Sequence, residues 1–107
     1  MKKIIGITSC TCGIAHTYMA REKLIEAGRK LNIDVKIETQ GSGGTEYQLT
    51  SDDINNADCV LLATDVAVSG TDRFKNKPVV KVPISTAIKS PEGLLKKIIE
   101  KIEKQGE

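Results

Sequence analysis

A chain of 107 residues with 39% hydrophobic and 28% charged residues has room for one domain around one core, and a single domain over 1–107 is expected. Its three aromatic residues, two Tyr and one Phe, give bases no platform to stack on, which argues against a nucleic-acid partner. No apolar run approaches the roughly 18 residues that mark a membrane-spanning helix. The run Ile4 to Ile7 behind Lys2-Lys3 is also too short for the apolar core of a signal peptide.

The first strand is expected over Lys2 to Ser9, largely apolar and β-branched, as suits a strand covered on both faces. A helix follows from about Ile14 to Leu31, with Ala20, Leu24, Ala27 and Leu31 falling on one buried stripe. Asp34 to Gln40 alternates Val35, Ile37 and Thr39 with Lys36, Glu38 and Gln40, the period-two pattern of a half-exposed edge strand. Gly41-Ser42-Gly43-Gly44 reads as a flexible loop. Thr50 is placed to cap a short helix reaching about Ala57, with Asp52 and Asp53 in its first turn. Cys59 to Ala63 is a compact apolar run suited to a central buried strand. Asp65 to Lys77 reads as irregular, with a turn around Asp72 to Phe74. Val79 to Val82 supplies a fourth strand, bounded by Pro78 and Pro83. Ser90-Pro91-Glu92 starts the last helix, which buries Leu94, Leu95, Ile98, Ile99 and Ile102.

Strands alternating with helices imply an α/β fold: an open, Rossmann-like, four-stranded parallel sheet in the order 2-1-3-4, flanked by helices. In that order the connections leave the first strand in opposite directions, opening a crevice at its C-terminal end where ligands of such sheets bind. Cys10 falls there. It stands at a strand end just before a helix N-terminus, where free N–H groups and the helix dipole favour an anion. A cysteine so placed is expected to have a lowered pKa and to act as a nucleophile. His16 would be a donor to an anion held over Cys10, or a capping and packing residue. Asp65 is an acid, an orienter of the site or a turn former. Cys12 offers a second thiol near Cys10, but two soft ligands and one histidine fall short of a zinc site. No metal and no cofactor are expected. Cys59 reads as core. The three cysteines, odd in number, suggest reduced thiols and a cytoplasmic setting.

Cys10 to Thr17 reads C-T-C-G-I-A-H-T, followed by Tyr18-Met19-Ala20. This resembles the C-P-T-G-I-A-H-T-F-M-A signature of fructose-type IIB components of the bacterial sugar phosphotransferase system. The resemblance extends through Glu38-Thr39-Gln40-Gly41-Ser42, Leu49-Thr50, Asp53-Ile54, Ala57-Asp58, Asp65, Ala67-Val68, Arg73-Phe74 and Lys77-Pro78-Val79. Thr11 and Cys12 depart from it, standing where the family has proline and threonine. The resemblance implies a phosphoryl carrier. Cys10 would accept a phosphoryl group from a phosphohistidine of an A component and pass it to a sugar, fructose by family default, bound by a membrane C component. Thr11, Cys12, Gly13, Ile14, Ala15, His16 and Thr17 would surround the phosphoryl oxygens. Such a protein would act as a monomer without entering the membrane. A small cysteine phosphatase also uses Cys-x5-Arg-Ser/Thr, but His16 lacks the bidentate fork of that arginine. A thiol redox or binding module using Cys10 and Cys12 is the rival from another class.

Overall fold

In the computed structural model, residues 2–10, 14–41 and 44–105 are described. Five strands form one sheet: β1 (Lys3–Ser9), β2 (Asp34–Gly41), β3 (Gly44–Glu46), β4 (Cys59–Thr64) and β5 (Val79–Val82). Four helices accompany them: α1 (Ile14–Leu31), α2 (Ser51–Asn55), α3 (Ile84–Lys89) and α4 (Pro91–Gln105), with a 3-10 turn over Thr71–Phe74. The sheet order is β3-β2-β1-β4-β5. The four parallel strands therefore stand in the order expected from the sequence. The correction is a fifth strand: β3 pairs antiparallel to β2 across Thr39–Glu46, Gln40–Thr45 and Gly41–Gly44. Gly41 and Gly44, read as loop residues, are thus a strand pair, while Ser42 and Gly43 lie outside the described residues; Gly44, at φ 101°, occupies the left-handed region that glycine enters without strain.

α1, α3 and α4 cover one face of the sheet. Ala20, Leu24 and Ala27 of α1 meet Ile84 and Ala87 of α3, Leu94, Leu95 and Ile98 of α4, and Ile4, Ile37, Cys59, Leu61 and Ala63 of the strands. The opposite face carries a smaller core of Ile5, Ile7, Val60 and Leu62 under Leu49, Ala57 and Phe74. β1 and β4 are buried on both faces, which accounts for their unbroken apolar runs.

The start and stop chemistry follows the local sequence. α1 ends in a Schellman arrangement, the Ile33 N–H donating to Gly28 O at 2.7 Å and the Asn32 N–H to Arg29 O at 3.4 Å. Asn32 takes the left-handed residue at φ 59°, a conformation that asparagine tolerates better than most residues. Thr50 and Asp53 form a reciprocal capping box at α2. α3 was not expected from the sequence. It begins directly after Pro83 and buries only Ile84 and Ala87, too few positions to show a helical period. No helix among the described residues is long and apolar enough to cross a membrane.

Candidate functional site

β1 lies between β2 and β4, and its connections leave in opposite directions, so the crevice opens at its C-terminal end. The parallel register sets Ser9 opposite Thr64. The next residues of the two strands, Cys10 and Asp65, therefore emerge side by side. The Asp65 N–H donates to Ser9 O at 3.1 Å, which continues the ladder one step past the strands. Cys10, half-buried, donates its thiol proton toward Asp65 Oδ2, with sulfur and oxygen 3.5 Å apart. The other carboxylate oxygen, Asp65 Oδ1, accepts the Ile84 N–H at the start of α3 at 3.2 Å. Asp65 is thus more than a turn former: it links β4, α3 and the thiol.

On the other flank, Thr8 Oγ1 donates to Thr17 O at 3.0 Å, tying the end of β1 to the first turn of α1. Thr11, Cys12 and Gly13 lie outside the described residues. Ile14, Ala15, His16 and Thr17 form the first turn of α1, whose N–H groups have no acceptors within the helix. Ala15 and His16 are exposed and Thr17 is buried. The Thr17 hydroxyl is buried without a hydrogen-bond partner among the described residues, an arrangement that costs about 1–3 kcal/mol unless something pairs with it. The helix N-terminus favours an anion here, while the Asp65 carboxylate opposes a thiolate beside it.

The alternation in β2 puts Lys36, Glu38 and Gln40 on a half-exposed face; Lys36 is exposed there, and the structure corrects the reading at Glu38. Glu38 is only 1% exposed. Arg73 grips both its oxygens, at 3.0 and 3.1 Å, and the Leu49 N–H and Gln40 Nε2 donate to it at 3.1 and 2.9 Å. Burial alone would push the Glu38 carboxyl up, but the bonds from Arg73, Gln40 and Leu49 outweigh it and hold the group below its ordinary value. The Gln40 side chain meets the Ser69 backbone as a strand would. Its Nε2 donates to Ser69 O and its Oε1 accepts the Ser69 N–H, both at 2.9 Å. Together these bonds fasten the segment that begins at Asp65 to the C-terminal part of β2. Sequence reading noted these residues without seeing their connection; an acid on β2 and an arginine 35 positions later carry no local signal of pairing.

Nearby, Tyr18 donates its hydroxyl to Glu46, and the Arg21 guanidinium lies 3.6 Å over the Tyr47 ring. Arg21 Nε also donates to Ile37 O at 3.1 Å, beyond the strand pairs that β3 makes. Cys59 is buried in the core as expected, and burial pushes its thiol up. No three His, Cys, Asp or Glu side chains among the described residues come together as a metal site.

A family model described as the lactose/cellobiose-specific IIB subunit of the phosphotransferase system matches residues 5–97. The chain belongs to the phosphotransferase-system IIB family. The fructose-like EIIB component 2 of Escherichia coli is 45% identical over 98 residues, covering 92% of each chain. The fructose-specific EIIABC component of Bacillus subtilis is 40% identical over 95 residues, covering 89% of this chain and 15% of that protein. The solution structure of an Escherichia coli enzyme IIB subunit superposes with a TM-score of 0.90 at 36% identity, over 99% of this chain and 98% of that one. IIB components take part in phosphoryl transfer during sugar uptake, alongside A and membrane C components.

Proposed function

We propose that Cys10 accepts a phosphoryl group from a phosphohistidine of the A component, carries it as phosphocysteine, and delivers it to a sugar held by the membrane C component. The observation that carries this reading is the place of Cys10, at the switch point of the sheet and beside Asp65, with α1 the next described element along the chain. Backbone N–H groups from Thr11 through His16 cradle the phosphoryl oxygens. The Thr17 hydroxyl, buried and without a partner among the described residues, supports the same reading, because a phosphoryl oxygen arriving beside it would satisfy it. Catalysis then rests on positioning and fixed donors rather than on covalent work by many side chains. Asp65 belongs to this site as the neighbour of Cys10. His16 in place of an arginine suits a carrier that hands the group on rather than hydrolysing it. No metal or cofactor is required by this chemistry.

Fructose is the proposed sugar. The support is the naming of relatives: a fructose-like component at 45% identity, and fructose-specific proteins of Bacillus subtilis and Haloferax volcanii at 40% and 41%. A 2-O-α-mannosyl-D-glycerate-specific relative at 42% identity shows that similar domains serve other sugars. The domain works as a monomer on the cytoplasmic side, meeting both partners through the Cys10 face. Incubation with a phosphorylated A component tests the assignment against a redox role. Acquisition of phosphate, with no turnover in a thiol–disulfide exchange assay, is expected; the reverse result refutes it. Fructose phosphorylation in vesicles carrying the C component then tests the sugar.

A further inference from the structure

We propose that Asp65 is a catalytic residue of this site: its Oδ2 takes the thiol proton from Cys10 as the sulfur attacks phosphorus. This rests on the reading of Cys10 as the phosphoryl acceptor. The register Ser9–Thr64 brings the two residues out of adjacent strands together, and Oδ2 stands 3.5 Å from Sγ. The carboxylate does not reach the sulfur by chance of rotation. Its other oxygen accepts the Ile84 N–H, and its own N–H is spent on Ser9 O, so Oδ2 is the oxygen left facing the thiol. No ion pair among the described residues engages Asp65.

An ionised carboxylate disfavours a thiolate beside it, and in this mechanism the thiol proton leaves sulfur as the S–P bond forms. In the step itself the S–P bond forms while the P–N bond to the donor histidine breaks. The P–N electron pair stays on the ring nitrogen, and the ring, protonated at its other nitrogen, leaves as neutral imidazole. The thiol proton moves to Oδ2. Asp65 is exposed and returns that proton to solvent afterwards. A carboxylate within reach of the proton it abstracts is the geometry that general-base catalysis requires.

Asp65→Asn separates this role from a structural one, because the amide oxygen can still accept the Ile84 N–H. Phosphorylation of Cys10 by the phosphorylated A component should slow by about 100-fold. Alkylation by iodoacetamide at neutral pH, read at Cys10 by peptide fragmentation, should speed up by about tenfold as the opposing charge is lost. Asp65→Glu, which keeps a carboxylate, should recover part of the transfer rate. Transfer at the unsubstituted rate in Asp65→Asn, with Cys10 phosphorylated, overturns this inference alone. A parallel fall of transfer and alkylation in both variants marks a purely structural role and also overturns it. Failure of Cys10 to acquire phosphate in the unsubstituted chain overturns the functional reading and this inference together.

Discussion

At the scale of single residues, one buried polar group stands at a cost to stability. It is the Thr17 hydroxyl, buried and unpartnered among the described residues. Valine has the same shape and no hydroxyl, so Thr17→Val should leave the urea midpoint unchanged or raise it. The same change should slow phosphoryl transfer on the order of 10–100-fold if the hydroxyl serves the phosphoryl oxygens. Equilibrium denaturation and a single-turnover transfer assay read the two effects separately. A large stability loss with unchanged transfer would reverse the assignment. The placement of the cysteines was legible: Cys10 and Cys59 were told apart by sequence setting alone, and the structure places one half-buried at the crevice and the other in the core. The Cys10–Asp65 contact was not legible in the same way, since it depends on two strand ends 55 positions apart.

Among the elements, α2 is a short helix held by its cap rather than by its length. The Thr50 N–H bonded to Asp53, followed by the Lys36 ammonium, holds the Asp53 carboxyl down at about 2, from 3.8. A carboxyl lowered on folding contributes stability fully above its unfolded value and loses it as pH falls through the folded one. Asp53→Ala should therefore cost about 1–2 kcal/mol near neutrality, and the gap to the unsubstituted chain should close between about pH 4 and pH 2. Urea titrations across that range check it. The Glu38–Arg73 pair behaves differently. Arg73→Leu strands a fully buried carboxylate and should cost roughly 3–5 kcal/mol, with slower transfer because the segment starting at Asp65 loses its anchor. Thermal denaturation and the transfer assay measure both. The Thr50 cap was readable because its signal spans four adjacent residues. Glu38 was not legible as a buried acid, because alternation distinguishes polar from apolar, not solvated from paired.

The molecule as a whole is an unequal sandwich, with three helices on one face and a short helix, a 3-10 turn and loops on the other. The parallel sheet order was legible because α1 and the four parallel strands each carry a period or an apolar run of their own. β3 and α3 were not, because three exposed residues and a six-residue helix are too short to carry one. The hairpin of β2 and β3 leads into Tyr47, which is 56% exposed and stacked under Arg21, close in the chain to a strand end of the site's edge. Tyr47→Ala should weaken transfer from the A component several-fold while leaving the thermal midpoint nearly unchanged, as expected of a contact residue rather than a core one. Unaltered transfer in this variant would remove the hairpin from the docking face.

The central claim is that Cys10 holds the phosphoryl group. It is tested most directly by phosphorylating the chain with its A component and locating the phosphate by phosphorus NMR and peptide fragmentation. A single phosphothiolate at Cys10, absent from Cys10→Ser, is the predicted result. Phosphate on His16 or Cys12, or a Cys10→Ser chain that still acquires phosphate, would contradict it.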